Sequence, residues 1–250
     1  MFPEERQQAI LDLLERDGKV YVKTLSEKFE VTEDRIRKDL GTLEMDGKLK
    51  RTYGGAVARQ AVPQKKTSTD AESKKKIASA AVKLIGESDL IFLDISTSNI
   101  LIAEKLLELD REVRVATNMI EVLTRLAHAP KVKLIFAGGV INRNRNGFLG
   151  GATLDFISKL KPDIAFLGAV GVDVKENSVS TFDVEDGINK AKIISMSKNS
   201  YVVAESSKLN SDGNYNYASL DELSGLITDE KPSEDICHAA EEFGVKLILP

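Results

Sequence analysis

Val20 to Ala56 reads VYVKTLSEKFEVTEDRIRKDLGTLEMDGKLKRTYGGA. Leu25 and Phe29 mark the buried side of a short helix from about Thr24, and Val31 fills the turn behind it. Thr32 then offers its hydroxyl as N-cap of a second helix, whose apolar face is Ile36, Leu40 and Leu43 at i, i+4 and i+7. Asp46-Gly47 stops that helix. Lys48, Lys50, Arg51 and Tyr53 follow, leading into Gly54-Gly55 on what reads as a hairpin. Two short helices around a tight turn, then a basic hairpin with glycines, are the layout of a winged helix-turn-helix. That arrangement sets one helix in the DNA major groove.

Upstream, Pro3 suits a helix start, and Glu4 and Glu5 favour its positive end. Ile10, Leu13 and Leu14 keep helical spacing until Asp17-Gly18, and Val20 to Val22 can form a short strand. On the second helix of the motif Arg35, Lys38 and Thr42 share a face, with Glu33, Asp34 and Arg37 near its start. The candidate base-reading residues are therefore Thr32, Glu33, Asp34, Arg35, Arg37 and Lys38. Lys50, Arg51, Tyr53, Gly54 and Gly55 are the candidates for wing contacts to phosphate or the minor groove. Spacing alone also admits a small helical domain used for protein contacts.

Charge separates along the chain. Between Arg35 and Lys66 nine bases face three acids, whereas residues 77–250 hold 18 bases and 25 acids. A basic patch on an acidic body fits a DNA-binding module attached to another domain, although a solvated charged face would read the same way. The 250 residues suit one large domain or two modest ones, and 42% hydrophobic with 30% charged content is that of a soluble globular chain. No apolar run approaches the roughly 20 residues of a membrane span. The N-terminus lacks the features of a signal peptide, and a lone Cys237 fits a reducing cytoplasm.

Residues 58–73 are polar, contain Pro63 and lack periodicity. They read as a linker between a DNA-binding domain at 1–57 and a second domain at 74–250, which opens with a helix from about Lys74 to Gly86. Beyond it, strand-like runs at Leu90–Ile95, Val113–Thr117, Val132–Phe136, Ile164–Leu167, Tyr201–Ala204 and Gly225–Ile227 alternate with helices. Those helices fall near 98–108, 119–127, 151–159, 184–197 and 233–243. Such alternation predicts an α/β domain with a parallel sheet, its ligand site beyond the strand carboxyl ends.

Polar groups collect at those ends. Asp94, Ser96, Thr97 and Ser98 open a helix, where hydroxyls and free amides make a phosphate cradle. Thr117-Asn118, Gly138-Gly139, Gly168 with Asp173, and Lys208 close the next strands. Singly, each is an ordinary cap or turn; five in succession point to a site.

The first half resembles the DNA-binding domain of the DeoR family of bacterial transcriptional regulators. The resemblance rests on Arg6-Gln7-Gln8-Ala9-Ile10-Leu11, Val31-Thr32, Ile36-Arg37-Lys38-Asp39-Leu40 and Lys50 to Ala56. Glu30 stands where a turn glycine is usual, and Asp34-Arg35 replaces a more neutral pair. The second half resembles that family's sensor domain, which shares its fold with ribose-5-phosphate isomerase and the coenzyme A transferases. This likeness is carried by the Asp94–Ser98 loop, Thr117-Asn118, Phe136 to Gly139, Phe166 to Ala169 and Ala204 to Lys208.

The resemblance implies a repressor of carbohydrate genes that acts as a homo-oligomer on operator DNA and is controlled by a sugar phosphate. Ser96, Thr97 and Ser98 would hold phosphate. Asp94, Asn118, Asp173 and Lys208 would meet the sugar or organise the pocket. Departures fall at Ser96, where glycine is frequent, and at Val170, where an aspartate is common. Gly187 and Asn189 stand where an acid and a lysine are expected, and Lys190 and Lys192 read as facing elsewhere on the helix. An isomerase reading would need a general base that these departures remove. Catalysis, a cofactor and a metal are not expected, the last because one Cys and two separated His make a poor ligand set. A ligand-independent DNA-binding protein is the remaining alternative.

Overall fold

The computed structural model describes residues 3–17, 19–45, 48–52, 54–58, 68–109, 111–143 and 145–250. The chain divides into two compact units, Met1–Lys65 and Lys66–Pro250. In the first, α1 (Pro3–Asp17) leads through β1 (Lys19–Tyr21) to α2 (Val22–Phe29) and α3 (Glu33–Met45). Strands β2 (Leu49–Thr52) and β3 (Gly55–Ala58) then form an antiparallel hairpin with β1 on its outer side, in the order β1-β3-β2. Ile10, Leu14, Leu25, Ile36, Leu40, Leu43 and Leu49 are buried in one core, as their spacing requires. The strand expected at Val20–Val22 ends at Tyr21, because Val22 already opens α2.

The second unit begins with α4 (Ser68–Ala81), six residues earlier than the helix expected at Lys74. Its buried stripe, Ile77, Ala78, Ala80 and Ala81, lies at its carboxyl end. The polar first turns carry no periodicity, so residues 68–73 read as linker from sequence. Next come β4 (Leu90–Leu93), α5 (Thr97–Leu107), β5 (Val113–Thr117), α6 (Ile120–Leu126) and β6 (Val132–Phe136). A hairpin, β7 (Val140–Asn142) and β8 (Gly147–Leu149), precedes α7 (Gly151–Ile157) and β9 (Ile164–Gly168). A second, β10 (Gly171–Asp173) and β11 (Ser178–Thr181), precedes α8 (Val184–Met196) and β12 (Asn199–Val203). The chain closes with β13 (Tyr215–Ala218), β14 (Gly225–Ile227), α9 (Glu234–Glu242) and β15 (Leu247–Ile248).

Seven strands form one parallel sheet, ordered β15-β14-β12-β9-β4-β5-β6. All four residues of β4 are buried. Ile91 and Leu93 meet α4, α5 and α6 on one face, while Leu90 and Phe92 pack with Ile157 of α7 and Ile193 of α8 on the other. That double burial is what makes such strands continuous apolar runs. The sequence reading missed β7, β8, β10, β11, β13 and β15. Each spans four residues or fewer, and five of the six lie outside the parallel sheet, so the pattern that exposes buried strands is absent. Among the described residues no helix is long and apolar enough to cross a membrane.

Candidate functional site

In the first unit the turn between α2 and α3 is made by Glu30 in the left-handed region (φ 53°, ψ 44°), its N–H donating to Ser26 O. Thr32 caps α3: its Oγ1 accepts from the Arg35 N–H at 3.3 Å. Glu33 and Asp34 occupy the first turn at the positive end of the helix dipole. Both also hold Arg37, whose guanidinium donates to Glu33 Oε2 at 2.5 Å and Asp34 Oδ1 at 2.8 Å. Arg35 and Lys38 are exposed beside them. Asp39, by contrast, points inward to a buried ion pair with Arg6 of α1 (2.6 Å).

In the wing, the Arg51 N–H donates to Glu44 Oε1 at 2.8 Å, tying β2 to α3. Gly54 adopts φ 81°, which a side chain would strain, and no side chain fits at Gly55 against the Val20 carbonyl. These glycines shape the hairpin that presents its neighbours. Tyr53 and the side chain of Lys50 lie outside the described residues.

At the carboxyl ends of the sheet strands the second unit buries a charge cluster. Lys190 of α8 donates to Asp94 Oδ2 and lies 3.3 Å from Asp186 Oδ1, with all three side chains almost wholly out of solvent. Thr181 Oγ1 donates to Asp186 Oδ2 at 2.7 Å. The Tyr217 hydroxyl donates to the Gly168 carbonyl at 3.0 Å, and its ring lies 5.9 Å from Lys190 Nζ. Burial pushes the Asp94 carboxyl up to about 6, against the lowering charge of Lys190. Burial works to lower Lys190, but Asp186 and Asp94 outweigh it and hold its pKa above the ordinary value. Burial, then the two carboxylates, raise Tyr217 well above 10.

This corrects the expectation for α8. Lys190 does not face elsewhere; with Asp186 at i−4 it supplies the acid and lysine sought at Gly187 and Asn189. The signal was the i,i+4 spacing of Asp186 and Lys190 on one buried stripe with Ile193. Gly187 instead makes room for the Tyr215 ring. Asn99, also missed, donates from Nδ2 to Asp94 O (2.7 Å) and Phe166 O (2.9 Å), clasping β4 to β9.

Ser96 caps α5, its Oγ accepting from the Ser98 N–H at 3.3 Å. Its backbone is extended (φ −161°), so no glycine is needed there. Gly168 provides the space, since a Cβ on it would stand 2.6 Å from Ser96 Oγ. Thr97 is exposed and Ser98 buried in the same turn. Asn118 donates from Nδ2 to Phe148 O at 3.2 Å. Among the described residues Asp94 Oδ1, Asn99 Oδ1, Asn118 Oδ1 and Asn189 Nδ2 are buried without a hydrogen-bond partner.

The other expected site residues make contacts within the fold. Thr117 Oγ1 donates to Leu93 O at 2.6 Å, joining β4 and β5. The space beside Gly139 is taken by Thr153, whose Oγ1 donates to Gly138 O at 3.2 Å, while the space beside Gly138 is open. Asp173 accepts two backbone N–H groups, of Lys175 and Glu176 at 3.0 Å each, within the turn after β10. Lys208 pairs with Glu205 at 2.8 Å. No cluster of three or more His, Cys, Asp or Glu able to hold a metal occurs among the described residues.

A winged helix-turn-helix joined to an α/β unit with a polar cluster at its strand ends defines a DNA-binding transcriptional regulator that carries its own sensor. Residues 6–62 match the DeoR-like helix-turn-helix domain and residues 69–230 the DeoR C terminal sensor domain, and the chain belongs to the DeoR family of transcriptional regulators, not of enzymes. It is 32% identical to the HTH-type transcriptional repressor GlcR of Bacillus subtilis (strain 168), over 100% of this chain and 97% of that one. It is 28% identical to the glycerol-3-phosphate regulon repressor of Escherichia coli (strain K12), over 98% of each. Among solved structures, ribose 5-phosphate isomerase A from Methanocaldococcus jannaschii is similar at 20% identity, with TM-score 0.42 over 57% of this chain and 55% of that one.

Proposed function

We propose that this regulator represses a carbohydrate-metabolism operon in the cytoplasm, as a homo-oligomer whose hold on operator DNA is weakened by a phosphorylated sugar. The observation that carries the sensing half is the Asp94–Lys190–Asp186 cluster, with its unpartnered Asp94 Oδ1, beside the opening turn of α5. Sugar hydroxyls would donate to Asp94 and Asn118. Phosphate would rest on Ser96, Thr97 and Ser98, where helix amides and hydroxyls converge. Names of the relatives, a glycerol-3-phosphate regulon repressor among them, support both the ligand class and the sign of control.

For the DNA half, Thr32, Glu33, Asp34, Arg35, Arg37 and Lys38 would read base edges, and Lys50, Arg51 and Tyr53 would anchor phosphate around Gly54 and Gly55. Asp34 or Glu33 can accept from cytosine N4, and arginine can read guanine. The effector acts by binding better to the arrangement that binds DNA worse.

Fluorescence-anisotropy titration on DNA from upstream of the protein's own operon, beside a scrambled duplex at equal salt, tests this reading. Repeating it with a panel of sugar phosphates should weaken selective binding for one compound. Arg37→Ala should cost about 1–3 kcal/mol of operator affinity. Unchanged affinity would remove Arg37 from the readout, and a regulator deaf to every sugar phosphate would overturn the sensing half.

A further inference from the structure

The middle of α4 is fastened to the strand ends by a second polar network, distinct from the Asp94 cluster. Glu205 follows β12 and is nearly buried. Lys74 of α4 reaches its Oε1 at 2.8 Å, and Lys208 its Oε2 at 2.8 Å. Burial works to raise the Glu205 carboxyl, but the Lys208 charge and hydrogen bonds from both lysines hold it below the ordinary value. One residue on, the Ser206 N–H donates to Asp229 Oδ1 at 2.7 Å, and Asp229, just past β14, also takes a hydrogen bond from Ser73 of α4. So Ser73 and Lys74 lie across the ends of two adjacent parallel strands, β12 and β14. The helix they belong to opens at Ser68, three residues after the first unit ends at Lys65.

One carboxylate serves two lysines, and one of them, Lys208, is among the residues that the family resemblance assigns to the effector pocket. An anion that recruits Lys208 must compete with Glu205 for it. When Lys208 leaves, Lys74 becomes the sole counter-charge of a nearly buried carboxylate, and the α4 contact tightens because an unpaired buried charge is costly. We propose that Lys74 and Glu205 are positioning residues: effector binding draws Lys208 away from Glu205, and the change is passed through Lys74 to α4, whose opening leads back to the DNA-binding unit. This rests on the sugar-phosphate reading of the site, and the helix-anchoring half can be tested without it.

The full-length protein is titrated with glucose 6-phosphate, fructose 1-phosphate and sn-glycerol 3-phosphate, reading ligand binding by calorimetry and operator binding by anisotropy. For whichever compound acts on the wild type, Lys74→Met should bind it more weakly, because recruiting Lys208 then strands the Glu205 carboxylate, so the comparison is made at saturating ligand. Its effect on operator affinity should fall from about tenfold to under about twofold. Lys74→Arg should restore the coupling. A Lys74→Met variant that still releases DNA like the wild type overturns the proposal. If no compound acts on the wild type, the sugar-phosphate reading fails, and hydrogen exchange of the Ser73–Ile77 amides decides the anchor. There Lys208→Met should slow exchange several-fold and Lys74→Met should speed it. Unchanged exchange in both variants sinks the relay.

Discussion

Each unit buries one cation against aspartate, and the two do so on different terms. In the first, Arg6 and Asp39 form a one-to-one pair between α1 and α3, with Gln7 Nε2 on the second carboxylate oxygen at 3.4 Å. Ile10, Leu14, Ile36 and Leu40 already hold those helices together, so the pair fixes how they meet. In the second, a single Lys190 answers two carboxylates, one of which keeps an oxygen without a partner. The first pair balances its charge, although Arg6 Nη2 is also buried without a hydrogen-bond partner. An acid in excess, left with unmet hydrogen-bonding capacity at the end of a sheet, is poised for a ligand that donates.

The largest effects should come from breaking either cluster on one side. Arg6→Met leaves Asp39 buried and short of its counter-charge, and should destabilise the first unit by about 3–5 kcal/mol in urea denaturation. The double variant Arg6→Met/Asp39→Leu should regain most of that loss, because no stranded charge remains. Lys190→Met should cost a similar amount at pH 8, with an added signature. Asp94, already raised to about 6, can then be neutralised only by a proton, so the deficit should shrink as pH falls toward 5. A deficit independent of pH would mean the carboxylates do not depend on Lys190 for their charge balance.

The wild-type protein carries a gentler form of that signature. The folded-state pKa of Asp94 is raised to about 6, above the ordinary 3.8. A proton is thus held more tightly folded than unfolded, and the stability it confers is complete below about pH 4 and lost as pH rises through about 6. The loss should be about 1–3 kcal/mol in this window, and Asp94→Asn should flatten it. The profile is to be read by thermal unfolding across pH 4–7.

This contrast also explains what the sequence could disclose. The winged unit was legible almost residue by residue, because its core is local: Ile36, Leu40 and Leu43 repeat on one helix and Thr32 announces its start. Arg6 and Asp39 were visible in the motif, yet their pairing spans 33 positions and no periodicity encodes it. In the sensor, the buried strands and the Asp94–Ser98 loop were legible for the same reason that β4 is apolar throughout. Lys190 was not, since a charged residue on a helix reads as solvent-facing until Asp94, 96 positions away, is placed beside it. Asp173 and Gly139 show the opposite case: the turn chemistry that reads as a binding loop also closes a turn at Asp173 and admits Thr153 beside Gly139.

Smaller terms should register in the first unit, whose core is modest. Thr32→Ala removes the Oγ1 acceptor from the start of α3 and should cost about 1 kcal/mol, seen as faster hydrogen exchange along α3. Sensor amides such as those of β4 should be unaffected.

The smallest effect tests whether the departure at Glu30 is a liability or a choice. Its φ of 53° places a branched-off Cβ in the left-handed region, worth roughly 1–2 kcal/mol of strain for an ordinary residue. Glycine would relieve that strain, but it gives the unfolded chain more freedom to lose, worth roughly 0.5–1 kcal/mol. The difference leaves Glu30→Gly more stable by up to about 1.5 kcal/mol, read as a higher urea midpoint with unchanged slope. Removing the exposed carboxylate also makes the DNA-binding unit more positive by one charge, so the same variant should bind scrambled DNA more tightly at low salt, with the gain fading as salt rises. A more stable variant with unaltered binding to scrambled DNA would mean Glu30 is only a strained turn. A gain in both would mean this chain accepts a less stable turn and, with it, weaker attraction to the wrong DNA.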